Sequence, residues 1–184
     1  MSLKVLLIGM PGSGKGTQAR RLVPLGFAHI STGELIRDAQ ARGDPVLMPY
    51  KEQMDRGELL PDKEIFRLVN RELEKIGDSN YALDGAIRNR AQAETALQRG
   101  LVSHALYLFL NEEEARKRMA KRYEIEGRKD DAPDAINKRL LKYKEETEPV
   151  INYFLGRLIP LYMINAFPSP DEVHQEVLRV LRIK

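Results

Sequence analysis

The stretch GMPGSGKGTQAR, residues 9–20, gathers four glycines, a serine, a lysine and a threonine directly behind the apolar run Lys4–Gly9. Those residue types at that spacing are suited to holding phosphate. Glycines let successive backbone N–H groups curl around an anion, and a helix opening just behind them adds the positive end of its dipole. Lys15 can reach the outer phosphates of a nucleotide. The common pattern G-x-x-x-x-G-K-[ST] puts a hydroxyl directly after the lysine, whereas here Gly16 takes that place and Thr17 follows. A tight strand-to-helix turn with no ligand is the competing explanation. Such a turn needs one or two glycines, not four with a lysine.

The other candidates are mostly cations. Arg37 follows Thr32 by about one and a half helical turns. Arg118 and Arg122 share a helix face, with Gly127-Arg128 just beyond and Arg139 on the next helical stretch. Taken alone, the pair also reads as a solvated basic face. The planar fork of arginine binds phosphate at two points. Asp84 ends an apolar run at the carboxyl edge of a sheet, where ligands bind in open α/β folds. It reads as an anchor for magnesium beside Thr17, or as a turn residue. Asp130 and Asp131 either pair with Arg128 and its neighbours or keep their loop solvated. The three histidines, His29, His104 and His174, fall outside these clusters and read as strand or helix surface residues.

The elements that must position these groups alternate. Short apolar runs at 4–9, 27–30, 81–84, 105–110 and 161–165 read as strands buried on both faces. Helical patterns cover 15–23, 32–41, 45–56, 62–76, 90–98, 112–125, 134–148 and 170–181. Asp44 before Pro45, and Ser169 before Pro170 with Glu172 near the first turn, mark helix starts. The alternation predicts an α/β fold, a five-stranded parallel sheet with helices on both faces. Residues 32–76 hold three helices with no strand between them, and 124–133 is a polar loop. An inserted helical flap and a mobile lid account for both.

At 184 residues the chain is long enough for one domain with a substantial core. Its 42% hydrophobic and 31% charged residues give an ordinary globular balance. The absence of cysteine excludes disulfides and thiolate metal sites. No apolar stretch approaches the roughly 20 residues that span a bilayer. The run MSLKVLLIGM is too short for a signal peptide, so a cytoplasmic protein is expected. A net charge of +3 suits a small polyanion as well as nucleic acid.

At Gly16-Thr17 the loop resembles that of the nucleoside monophosphate kinases, above all the adenylate kinases. The resemblance continues through ISTGELIR (30–37), GELLPD (57–62), LDGAIRNRAQ (83–92), RMAKRYEIEGRKDD (118–131) and KRLLKYKEETEPVI (138–151). It implies a P-loop kinase of the short-lid form that moves a phosphoryl group from ATP to AMP with Mg²⁺. The core would comprise 1–31, 61–121 and 135–184, the acceptor-binding insertion 32–60 and the lid 122–134. By resemblance, Gly12, Ser13, Gly14, Lys15, Gly16, Thr17, Arg118 and Arg122 hold ATP, with Arg118 stacked on its base. Thr32, Gly33, Arg37, Met54, Leu59, Leu60, Gly85, Arg88, Gln92, Arg128 and Arg139 hold AMP. Arg37 and Arg88 would bind the acceptor phosphate, and Gln92 would lie within hydrogen-bond reach of the base. Lys15, Arg88, Arg122, Arg128 and Arg139 would act on the migrating phosphoryl, and Thr17 and Asp84 would hold Mg²⁺ largely through water. A lid built around cysteine-bound zinc is excluded. The resemblance further implies a monomer that binds ATP, AMP and ADP, and neither nucleic acid nor membrane.

One departure from the family pattern bears on selectivity. Where the family has an aromatic and then a proline before the arginine, this chain reads Gly85-Ala86-Ile87-Arg88. Ala86 offers no ring to the acceptor base, and a cis bond before Ile87 would cost about 3–4 kcal/mol, so a trans bond and a rerouted loop are expected. Three functions follow in turn: an adenylate kinase, a UMP/CMP-type kinase, and a P-loop nucleotide sensor without turnover. Gln92 and the full set of lid arginines favour the first.

Overall fold

The apolar run behind the loop forms β1 (Lys4–Ile8), with Val5 through Ile8 buried. It is the central strand of five in the computed structural model, which describes residues 2–45, 47–50, 52, 60–157 and 159–183. The others are β2 (Phe27–Ser31), β3 (Asn80–Asp84), β4 (His104–Phe109) and β5 (Leu161–Asn165). All pairings are parallel, in the order β2-β3-β1-β4-β5. Parallel strands need crossovers, and helices supply them: α1 (Lys15–Leu22), α2 (Thr32–Ala41), α3 (Asp62–Ile76), α4 (Arg90–Gln98), α5 (Glu112–Glu126), α6 (Pro133–Lys142), α7 (Glu148–Leu155) and α8 (Pro170–Leu181). The expected fold class is the observed one.

Strand alternation sorts the core into two layers. Val5 and Leu7 face one way with Leu106, Leu108 and Ile164, packing on Ala19 and Leu22 of α1, Met119 of α5 and Val177 of α8. Leu6 and Ile8 face the other way with Leu83 and Tyr107, against Phe66 of α3, Ala93 of α4 and Phe154 of α7. Each fully buried Leu or Ile contributes about 1.5–3 kcal/mol relative to leaving it exposed. This double cover explains why the strands read as unbroken apolar runs. A third cluster, with Ala39, Leu47, Leu60, Ile65 and Leu68, fastens α2 to α3.

Helix starts follow their side-chain caps. Ser31 accepts from Glu34 N, Asn89 from Gln92 N and Asn111 from Glu114 N, and Ser169 with Glu172 forms a reciprocal capping box. Helices 32–41, 62–76, 90–98 and 170–181 match their expected bounds. Two expectations differ. The single helix over 134–148 is instead α6, a π-helical turn at Tyr143–Thr147, and α7. Pro149 has no N–H to continue the ladder, and the wider turn absorbs its ring. Within the expected helix 45–56, Met48–Tyr50 forms a 3-10 turn and Glu52 is helical. The remainder of that stretch beyond Glu52, including Met54 as well as Leu59 after it, lies outside the described residues.

Candidate active site

The carboxyl ends of β1 and β3, adjacent strands, carry the two loops that matter. Their register sets Leu7 beside Asp84, and Asp84 beside Ser31 of β2, so all three strands end together. In the first loop Gly12 and Gly14 adopt left-handed backbone, φ 85° and 87°, which strains any residue with a side chain. A Cβ at Gly12 would also stand 2.8 Å from the Ala115 carbonyl of α5, so the loop lies tight against that helix. Gly14 leads directly into α1, whose first residues are Lys15, Gly16 and Thr17. The Lys15 ammonium folds back into this cradle, donating to the carbonyls of Gly9 at 2.7 Å and Met10 at 3.0 Å.

Desolvation pushes Lys15 down to about 8, opposed by the carboxylate of Asp84 and reinforced by Arg139, Arg88 and Arg122. That list of neighbours describes the site. Lys15 thus has three arginines in its surroundings and Asp84 as the carboxylate that opposes their effect. Burial alone would raise Asp84, but His29 and the Lys15 ammonium, with Arg88, outweigh it and hold the carboxyl below its usual value.

The second loop brings together four of the residues expected to hold the acceptor, Thr32, Gly85, Arg88 and Gln92. A Cβ at Gly85 would lie 2.9 Å from the Thr32 hydroxyl and 3.4 Å from the Arg88 guanidinium. Arg88 donates from Nε to the Gly85 carbonyl at 3.0 Å, and desolvation with the nearby Arg139 lowers its pKa against Asp84, Asp130 and Glu146. Thr32 donates to the Asp84 carbonyl at 3.3 Å. The Arg37 guanidinium covers Gly33, where a Cβ would sit 3.3 Å from it. Leu60 is buried in the third cluster. Gln92, 3% exposed, donates to Asp62 at 2.6 Å and accepts from Arg88 N at 2.6 Å. Ala86 and Ile87 belong to the second core layer, and every described peptide bond is trans.

Arg122, Arg128 and Arg139 are held by acids. Asp131, fully buried, takes Arg122 in a two-point contact at 2.5 and 3.0 Å and also takes Arg139. Arg139 reaches Asp130 at 3.0 Å, and Arg128 pairs with Glu126 at 2.7 Å. Asp131 is therefore a bridge between α5 and α6, not a solvating loop residue. Arg118 donates to Glu114 at 2.8 Å and to the carbonyls of Ala166 and Phe167 at 2.9 and 3.1 Å. With Gly12, Ser13, Gly14, Thr17 and Arg122 it lines a cleft of about 460 Å³, to which residues 166–170 also contribute. Six of the eight residues expected to hold ATP thus line one cleft, and Lys15 and Gly16 do not.

Magnesium fits the residues present. The Asp84 carboxylate is ionised, and a Cβ at Gly16, beside Thr17, would stand 3.2 Å from its oxygen. A hard cation that keeps its waters needs few protein ligands.

Sequence reasoning missed His29. Its side chain is 8% exposed, not at the surface, with Nδ1 3.8 Å from Glu34 and Nε2 3.9 Å from Asp84. The signal was available, since period-two alternation sets it on the same face of β2 as buried Phe27. His104 stacks on Tyr162, and His174 is hydrogen-bonded at 3.0 Å to Gln18, a residue of the cleft lining.

Comparison with known proteins agrees with this geometry. The adenylate kinase family model matches residues 7–158. An adenylate kinase of Thermus thermophilus is 39% identical over 97% of this chain and 97% of its own length. Those of Xanthomonas campestris and Thermobifida fusca are 37% and 35% identical, covering 97% and 98% of this chain and 99% and 98% of their own. The chain belongs to the adenylate kinase family of phosphotransferases.

Proposed function

We propose that the protein transfers the γ-phosphoryl group of ATP to AMP, reversibly, giving two ADP. The observation that carries this reading is the placing of Lys15 on the loop after β1 and Arg88 on the loop after β3, adjacent strands whose carboxyl ends lie together, with Arg88, Arg122 and Arg139 near enough to act on the Lys15 ammonium. The reaction joins two polyanions in line, and its transition state spreads charge over the migrating group, so convergent cations are what it demands. The acceptor phosphate, with a second pKa of about 6, is already ionised at neutral pH and needs no general base.

Each residue then has work to do. The backbone of Gly12–Gly14 and the start of α1 cradle the donor phosphates, and Lys15 exchanges its carbonyl partners for phosphate oxygens. Arg37 and Arg88 anchor the acceptor phosphate. Thr32, Gly33, Leu60, Gly85 and Gln92 enclose the acceptor nucleoside, and Arg118 faces the donor base. Arg122, Arg128 and Arg139 turn onto the migrating group, and the lid over 122–134 and the insertion over 32–60 close to exclude water, which would otherwise take the phosphoryl. Thr17 and Asp84 would hold a magnesium ion whose charge, when bound, draws the donor phosphates together. The working unit on this reading is a cytoplasmic monomer acting on small nucleotides.

A coupled assay with ATP, Mg²⁺ and each nucleoside monophosphate in turn tests this. AMP should give the highest kcat/KM. Preferred turnover of UMP or CMP overturns the adenylate assignment, and ATP binding without turnover of any acceptor makes the protein a sensor.

A further inference from the structure

The Gln92 side chain is caught between two groups of opposite hydrogen-bonding sense. Its Nε2 donates to Asp62 Oδ1 at 2.6 Å and its Oε1 accepts from Arg88 N at 2.6 Å. A glutamine amide free in a pocket turns over easily, exchanging oxygen for nitrogen. This one cannot do so without loss. A carboxylate has no hydrogen to offer and a peptide N–H has no lone pair, so the turned-over amide would set acceptor against acceptor and donor against donor. Burial denies it water as a substitute. Asp62 is itself held, as the first residue of α3, by Asn89 Nδ2, which reaches its two oxygens at 3.2 and 3.3 Å. Asn89 in turn caps α4 by accepting from Gln92 N at 2.8 Å.

We infer that Asp62 is a specificity-determining residue, locking the Gln92 amide in the one orientation that reads a 6-amino purine and refuses a 6-oxo purine. The inference rests on the reading that Gln92 faces the acceptor base. After its two protein bonds, Gln92 keeps one N–H and one oxygen lone pair. Adenine offers their complement, a ring N1 acceptor beside a 6-amino donor. Hypoxanthine and guanine present the reverse, an N1–H donor beside an O6 acceptor, and only the turned-over amide could pair with those. Refusal therefore comes from groups left unpaired, the stronger form of discrimination in a dry site. Asp62 need not touch the nucleotide. It acts through Gln92 and is a positioning residue.

IMP is the probe, because it reverses the hydrogen-bonding edge without adding the 2-amino group of GMP. The ratio of kcat/KM for AMP over IMP should fall at least tenfold in Asp62→Asn, with IMP turnover rising in absolute terms. The new amide is the same size but can donate as well as accept. Asp62→Glu keeps the acceptor-only chemistry and should retain most of the AMP preference. If the bonds only tie α3 to α4, both acceptors lose activity together and the ratio stays within twofold of wild type, which overturns the lock. Circular dichroism checks the fold first, and Asp62→Ser, with the same expected fall in ratio, replaces Asp62→Asn if that variant does not fold. Failure of the underlying reading is separately visible, as a wild-type enzyme that does not prefer AMP at all.

Discussion

Two loops leave adjacent strands at the same edge of the sheet and enter helices, yet they are built in opposite ways. Residues 9–14, between β1 and α1, carry no large side chain into the core beyond Met10, and two of their glycines sit in left-handed backbone. Residues 85–89, between β3 and α4, have one such glycine, Gly85, and sink Ala86 and Ile87 into the second core layer. Both loops nevertheless hold a cation on their own carbonyls, Lys15 on Gly9 and Met10, and Arg88 on Gly85. On the proposed function the first loop wraps phosphate with its backbone, and a loop that does so must give up side-chain anchors. A loop that offers a single guanidinium can bolt itself down with apolar residues. A third arrangement links α5 to α6, where Arg122 and Arg139 both rest on the buried carboxylate of Asp131, which on the proposed function a phosphate would displace.

The sharpest break in this comparison is at Lys15. Lys15→Met should lower kcat by about 10²-fold or more, because it removes charge aimed at the transition state, while ATP affinity changes less. Steady-state kinetics with a separate ATP titration checks it. Equal losses in binding and rate would mean the lysine serves the ground state alone. Next comes Arg88→Ala. Loss of a charge-assisted anchor worth about 1.5–3 kcal/mol should raise the AMP KM roughly 10- to 100-fold and leave the ATP KM near wild type. A rise confined to ATP would put Arg88 on the donor side and dissolve the distinction between the loops.

The first loop was legible in the sequence because its chemistry is written in consecutive residues: glycines that need positive φ, then the lysine, then a helix. The inner strands β1, β3 and β4 were legible because burial on both faces removes alternation, whereas edge strand β5 buries only Ile164 and was read from its apolar composition. The locks were not. Asp62 and Gln92 are thirty positions apart and meet only because α3 and α4 start side by side. An acidic residue in a first helical turn is ordinary enough to pass unnoticed. Asp131 read equally well as solvent-facing until α5 and α6 closed on it. The π-turn at Tyr143–Thr147 depends on a proline whose helical pattern continues on both sides. The burial of Ala86 and Ile87 was hidden for a different reason. Judged against the family's aromatic-proline pair they looked like a missing contact, and only packing reveals that they are contacts of another kind.

The smallest expected effect tests that last point. Ala86 is 1% exposed and Ile87 4%, packed in the layer that includes Ile151 and Phe154 of α7. Were the pair a simple deficit, Ala86→Phe with Ile87→Pro would add a ring face worth about 0.5–1.5 kcal/mol and lower the AMP KM two- to tenfold. The packing argues otherwise. A ring forced into a filled core costs about 1–3 kcal/mol, and exchanging Ile87 also removes a buried apolar contact. At about 2–4 °C per kcal/mol for a chain of this size, the double variant should melt several degrees below wild type. Its AMP KM should not improve, because strain at 86–87 is passed to Arg88, the next residue, whose own carbonyl accepts from the Thr147 hydroxyl at 2.9 Å. Thermal melts followed by circular dichroism, with AMP and ATP KM measured on the same preparations, decide the matter. An unchanged melting temperature with a lower AMP KM would show that the second loop has room for the ring, and that its apolar anchoring is incidental to how it presents Arg88.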